Sequence, residues 1–457
     1  MNSPVSRRAF LGHAARFAAL GAAAPLGLNL AAMTAASAAT LPNDYRALVC
    51  IFLYGGNDSY NTLVPSDALH HRAYSLTRGS LALPLEALLP YRLSLARPLP
   101  NGQSLSLNPR LHNLQAVHQR GELALALRVG TLRRPVTRED YFAQRNLPPK
   151  LMSHNDQFCL WQSLVTEGAS SGWGGRIADM LEASSGQQQS LFSAISVDSG
   201  AVYSVGQLTQ EFVVTSAGPI RVEPIPGASG AQSAIVASLT RPSSHLMMQE
   251  LATRTQTAQA GADQLESALS SIPSRFDFPI TALGDQLNMV ARLIAARGTL
   301  GLKRQTFFVS LGGFDLHSDA NLLHGDLLAQ VAESMSYFQD LMNHHGLGRQ
   351  VLTFTASDFG RSLTTNGSGT DHGWGGHHLV MGQSVAPQQW VGDSCSYTLG
   401  APDEVGQGRM LPSISVDQLG ATLATWMGVP ASDLPTIFPN IGEFNEPTLD
   451  LLRTTAW

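Results

Sequence analysis

The chain is poor in cysteine and in charge, and it has no block of basic residues. Its 457 residues include three cysteines. Cys50, Cys159 and Cys395 are widely spaced and odd in number, so neither a disulfide framework nor a zinc ribbon can be read from them. Cys50 lies inside an apolar run and is expected to be a small buried hydrophobe. Charged residues make up 14% of the chain, with 29 Lys and Arg against 34 Asp and Glu for a net charge of −5. With no basic stripe interleaved with aromatics, nucleic acid is not an expected partner. An H-E-x-x-H helix and a P-loop are also absent, which counts against zincins and nucleotide-driven enzymes. The 42 glycines and low charge fit a large, loop-rich folded protein better than a disordered one.

The first forty residues hold a targeting pattern. Ser6-Arg7-Arg8-Ala9-Phe10-Leu11-Gly12 is a twin-arginine motif, followed by an Ala/Leu-rich stretch and a small-residue site at Ala36-Ser37-Ala38. A charged start, an apolar middle and an A-x-A end make residues 1–38 an export signal to be set apart from the fold. The expected location is the periplasm or the medium. No later run is long enough to span a bilayer, so no integral membrane segment is expected after cleavage. Losing Arg7, Arg8 and Arg16 makes the mature chain more acidic.

Beyond the signal, apolar strand-like runs alternate with helical periodicity. Arg46–Tyr54, Leu123–Val129, Leu191–Val197, Thr306–Leu311 and Val351–Thr355 read as strands buried on both faces. Asn113–Gln119, Gly175–Glu182, Leu246–Leu269, Ile280–Arg297, Leu322–His345 and Val416–Met427 read as helices. His70 to Gln103 reads as irregular, and Ala201 to Ser243 as loops or short strands. The predicted fold class is α/β: a mostly parallel central sheet with helices on both faces. Residues 39–457 are expected to form one domain, with a helix-rich insertion at about 200–280.

Several polar clusters sit just past these runs, at the strand ends where open α/β sheets bind ligands. Asp58 follows Tyr54-Gly55-Gly56-Asn57, and Asp315 and His317 follow Leu311-Gly312-Gly313-Phe314 in the same pattern. Asp58 is a metal ligand or part of a strand-ending turn. Asp-x-His at 315 and 317 can turn to one side and grip a cation. Asp358 ends the next run, and Arg361 offers a fork of donors for a phosphate- or sulfate-like group or a salt bridge to a nearby acid. Asn366 to His378 packs Asp371, His372, His377 and His378 among glycines, as a ligand-wrapping or a surface loop. His377 and His378 face opposite ways if a strand begins there, so at most one points at the site. Ser153, before a helix, is a cap or a nucleophile. His324 is a supporting residue or simply exposed. Trp173 and Trp374 are ring-stacking platforms or core. Asp and His without cysteine suit zinc or manganese.

Taken in order, SRRAFLG, FLYGGNDSYNTLVP, SHNDQ with SGWGGR, SLGGFDLHSD, TASDFGRSLTTNGSGTDHGWGGHHLVMG and GRMLPSISVDQLGATLATWMGVP resemble the exported family known as domain of unknown function 1501. The layout is also similar to the alkaline phosphatase and sulfatase superfamily. That resemblance implies two metals. It assigns Asp58 as the first-strand ligand, Asp315 with His317 to one metal, Asp358 to the second, His372 as the late histidine, and Ser153 near the nucleophile. The departures are Phe359 in place of a ligand histidine, the close spacing of Asp315 and His317, and the lack of a Cys-x-Pro-x-Arg segment. Asp371, His377 or His154 fills the gap, or the site holds one metal.

The resulting expectation is an exported, metal-dependent hydrolase of a phosphate or sulfate ester. Zinc is the first candidate metal, with manganese or calcium as alternatives. The expected partner is a small-molecule or polymer ester. The alternative is a non-catalytic envelope protein for binding or assembly, with an envelope protein partner and a degenerate metal site.

Overall fold

The computed structural model describes residues 44–453 apart from 167, 186–189, 222–233 and 235–237. The twin-arginine signal therefore lies outside the described residues. Nine strands form the backbone of a ten-stranded sheet. In spatial order they are Trp390–Gly392, Leu123–Gly130, Gly376–Met381, Val351–Ser357, Arg46–Leu53, Arg304–Leu311, Ala194–Val197, Phe212–Thr215 and Gly218–Pro219, with Ile414–Ser415 also paired to Leu123–Gly130. The pairings are parallel except at Gly376–Met381, which runs against both neighbours, and at Gly218–Pro219. The chain is thus a mixed α/β protein with a large, mostly parallel central sheet, as the alternation of apolar runs and helices predicts.

The sheet is covered on both faces because its strands are apolar on both. Along Arg46–Leu53 every residue is buried. Ala47, Val49, Ile51 and Leu53 enter one core, with the helices Ala282–Ala295 and Ala320–His344. Leu48, Cys50 and Phe52 enter the other, with Trp173–Ser185 and Val416–Met427. This alternation follows from the two-residue period of a strand. Cys50 is 2% exposed and serves as a packing residue. Trp173 and Trp374 are also core: their indole N–H groups donate to the carbonyls of Trp161 and Thr131.

One region differs from the sequence reading. The stretch read as irregular contains a helix, Ala68–Arg78, capped by Asp67, which accepts from the His70 backbone N–H. Only Tyr74 and Arg78 of that helix are buried, so its apolar stripe is too thin for periodicity to show. The stretch read as loops or short strands does contain two short strands, Phe212–Thr215 and Gly218–Pro219, at the sheet edge, and the 24-residue helix Leu246–Leu269 follows as read. No described helix is long and apolar enough to cross a membrane.

Candidate metal centre

The central strands Arg46–Leu53 and Arg304–Leu311 are parallel neighbours, with Leu53 opposite Leu311. Both end in Gly-Gly-x-Asp, so the two turns lie side by side. Gly55 and Gly56 have φ of 111° and 85°. A Cβ on Gly55 would stand 2.3 Å from the Asp315 backbone nitrogen, and one on Gly56 would stand 2.5 Å from the Phe359 ring. Glycine is required here because the neighbouring turns touch its backbone.

Four side chains converge above this seam. Asp315 comes from the turn after Arg304–Leu311, and His317 follows it. His372 ends the short strand Thr370–His372, opposite Arg361 on Arg361–Thr365. His154 opens the helix His154–Ser163. His154 Nε2 is 3.1 Å from His372 Nε2, and His317 Nε2 is 3.2 Å from His372 Nε2. The Asp315 carboxylate is 3.0 Å from His317 Nε2, 3.3 Å from His372 Nε2 and 3.4 Å from His154 Nε2. Donors placed tetrahedrally around one zinc stand roughly 3.3 Å apart, a spacing that His154, Asp315 and His372 meet pairwise. Among the described residues, His154, Asp315 and His372 are the one set of three or more His, Cys, Asp or Glu donors whose ligand atoms all fall within 4.8 Å.

The tautomers support the same assignment. His372 Nδ1 lies 2.7 Å from the Met152 carbonyl, and His154 Nδ1 lies 2.6 Å from the Asp358 carboxylate. Carbonyls and carboxylates accept, so each Nδ1 carries the proton. Each neutral ring then turns a lone pair into the cluster. Two lone pairs at 3.1 Å repel unless a cation or a proton lies between them. Donation from the outer nitrogen to a carboxylate or backbone carbonyl is the usual support of a metal-bound histidine.

Electrostatics around the cluster are mixed. The Asp358 hydrogen bond raises the pKa of His154, partly opposed by burial. Burial lowers that of His372. Burial alone would raise the Asp315 carboxyl, but the Arg361 hydrogen bond and charge, with His154 and His317, hold it below its ordinary value. The Asp315 and His317 side chains are about half exposed, at 45% and 47%, so the cluster opens to solvent on their side.

The remaining predicted site residues have other partners. Asp358 is 2% exposed and orients His154 while accepting from the Gly55 backbone N–H. Asp371 stands at the rim, 3.6 Å from His317 Nδ1, and accepts from Asn366. Arg361 is fully buried and bonded through all its nitrogens, to Asp315, to the Gly55 carbonyl, and to the hydroxyl and carbonyl of Thr370. Its role here is to anchor Asp315. Ser153 is in the cap position, but its hydroxyl donates to the Asp156 carboxylate at 2.7 Å.

Asp58 and His377 are not in the cluster. The Asp58 carboxylate is buried against the guanidinium of Arg78. His377 accepts at Nδ1 from the Arg128 backbone N–H and turns Nε2 to Cys395 Sγ, 3.9 Å away. His378 packs edge-on against Trp161. Burial depresses both of these histidines to about 3, so they are neutral core groups. His324 is likewise buried, hydrogen-bonded through Nε2 to Asn57 Oδ1.

Sequence reading reached His154 only as one of three residues that fill a gap. Its local signal, a histidine right after a helix cap, is common. The Asp358 and His372 contacts that distinguish it are long-range.

No curated protein matches the sequence. Several solved structures align with most of the chain at low identity. The C-terminal periplasmic domain of EptC from Escherichia coli, in complex with zinc, is 10% identical over 91% of this chain and 90% of its own, with a TM-score of 0.37. The PsFucS1 sulfatase from Pseudoalteromonas sp. is 9% identical over 92% and 74%, with a TM-score of 0.35. A protein of the alkaline phosphatase superfamily from Vibrio parahaemolyticus is 10% identical over 88% and 74%, with a TM-score of 0.34. Residues 45–437 match the family model described as "Protein of unknown function (DUF1501)", and the chain belongs to that family.

Proposed function

We propose that this protein is an exported, metal-dependent hydrolase of a phosphate or sulfate ester. The proposed centre is His154, Asp315 and His372, with His317 alongside. The observation that carries the reading is the convergence of imidazole nitrogens and one carboxylate at 3.0–3.4 Å, with a solvent-facing side. Structural zinc sites are closed, whereas catalytic ones keep a position open. A donor set dominated by imidazole favours zinc over manganese, and over calcium, which takes six to eight oxygens.

A divalent cation held there supplies Lewis acidity to an ester oxygen and lowers the pKa of a water. The protein's own groups set the geometry. Asp358 and the Met152 carbonyl fix the ring planes of His154 and His372, and Arg361 fixes Asp315. An ester would approach from the half-exposed side formed by Asp315 and His317. With the Ser153 hydroxyl tied to Asp156, water is the attacking group in this reading. Export rests on the Arg7-Arg8 motif, and replacing both arginines with lysine should leave the chain in the cytoplasm.

A second reading is a non-catalytic envelope protein that uses the metal for binding or assembly. It is favoured by the full engagement of Arg361 and Ser153, which leaves neither poised at a substrate oxygen. A panel of chromogenic phosphate and sulfate esters, assayed with zinc, with chelator and with the Asp315→Ala variant, separates the two. Turnover lost on both chelation and substitution supports the hydrolase. Turnover indifferent to both removes the metal from the mechanism, and zinc binding without turnover of any ester supports the second reading.

A further inference from the structure

We infer that the strand-end site holds a single cation, and that Arg78, His154 and Phe359 fill the place where a second would sit. This rests on the metal-centre reading above and departs from the two-metal arrangement implied by the sequence resemblance. In that arrangement Asp58 and Asp358 serve as ligands, and a histidine stands at position 359. The structure gives each of these positions another occupation.

Asp58 faces a fixed positive charge. Arg78 is 0% exposed and stands at the end of the helix Ala68–Arg78. It contacts Asp58 with one terminal nitrogen and donates with the other to the carbonyls of Ser362 and Leu363, at 2.8 and 3.1 Å. Those carbonyls hold the guanidinium in place, so the pair is not a mobile surface bridge. A dication beside Asp58 would meet this buried charge at short range in a medium of low dielectric, where like-charge repulsion is strong. Burial first, and the nearby Arg361 charge second, depress the Arg78 pKa to about 9.

Asp358 is committed to His154 Nδ1 and to the Gly55 backbone. Phe359, 2% exposed, lies with its ring centre 4.8 Å from that of His154 and 4.8 Å from that of His372. An apolar ring therefore packs against both imidazoles where the resemblance would have a further nitrogen donor. It can hold the two rings in their planes, but it cannot bind a metal.

Asp58 Oδ1 and Asp358 Oδ1 are buried without hydrogen-bond partners. These are the oxygens a second cation would use, so the experiment is directed at them. Neither residue belongs to the one set of three donors found among the described residues.

The test is metal stoichiometry. The full-length exported protein is stripped with chelator, reloaded with excess zinc, dialysed, and measured by elemental analysis and native mass spectrometry. The inference expects one zinc per chain in the wild type, one in Asp58→Asn, and none in Asp315→Asn. Two zinc ions per chain, falling to one in Asp58→Asn, would overturn the single-cation inference and leave the metal centre standing. A folded wild type with no zinc would overturn both. If Asp58→Asn does not fold, the wild-type count alone still decides between one and two.

Discussion

Two neighbouring turns, Gly55 to Asp58 and Gly312 to Asp315, share the pattern Gly-Gly-x-Asp and end adjacent parallel strands, yet their aspartates do different work. Asp58 is 4% exposed and paired with the buried Arg78. Asp315 is half exposed and faces three imidazoles, with Arg361 behind it. The local sequence is nearly the same, and the contrast comes from what distant segments deliver. The helix Ala68–Arg78 brings a guanidinium to one turn. The ends of two other elements bring His154 and His372 to the other. A strand-end acid becomes a ligand when its partners leave it a solvent-facing side, and a structural anchor when a fixed cation closes it off.

The sharpest way to break this comparison is to remove each acid in turn. Asp58→Asn leaves Arg78 charged and buried, and losing one partner of a buried pair costs about 3–5 kcal/mol. Chemical denaturation should show that loss, while zinc binding persists in the folded fraction. If stability is unchanged, the Arg78 pairing is wrong. Asp315→Ala should have the opposite profile. The stabilisation given by zinc at a hundred times its dissociation constant, roughly 2.7 kcal/mol, should vanish from the melting curve. A zinc-induced shift equal to that of the wild type would remove Asp315 from the centre.

Asp358→Asn addresses a supporting contact. It keeps the shape but weakens the acceptor of His154 Nδ1, and such supports are worth about 10–100-fold in metal affinity. Competition with a chromogenic chelator would measure it, and an unchanged dissociation constant would mean His154 is not held this way.

The pH dependence follows from the sign of the His154 shift. Its pKa is raised, so in the metal-free protein it contributes stability that is complete below the ordinary histidine value of about 6.5. That contribution is lost as pH rises through the raised value. Zinc needs the neutral ring, so its affinity should fall about tenfold per pH unit below the raised His154 pKa, where binding also releases the ring's proton. A flat profile between pH 6 and 8 would argue against His154 as a ligand. The smallest effect is expected for His377→Gln, which should leave zinc affinity unchanged because His377 faces Arg128 and Cys395 instead.

The central sheet was legible in the sequence because its strands are apolar on both faces, and Val416–Met427 was legible to the residue because Ser415 caps it and Gly428 ends it in a left-handed turn. The helix Ala68–Arg78 was not, since it buries only two side chains. At the site, Asp315, His317 and His372 could be found because glycine-rich turns after apolar runs mark strand ends. Asp58 carries the same mark and has a different role, because nothing in its own segment announces Arg78. His377 sits in a histidine-rich stretch but points away, since the strand Gly376–Met381 turns alternate residues to opposite faces and both faces are buried. Phe359 looked like a missing ligand, and its contact with two imidazoles is visible only once the turns are assembled.

Zinc K-edge X-ray absorption of the reloaded wild-type protein tests the central claim most directly. The account predicts a first shell of nitrogen and oxygen at roughly 2.0–2.1 Å, with the multiple-scattering pattern of at least two imidazoles that weakens in His154→Ala. A shell containing sulfur, or one without imidazole scattering, would contradict it.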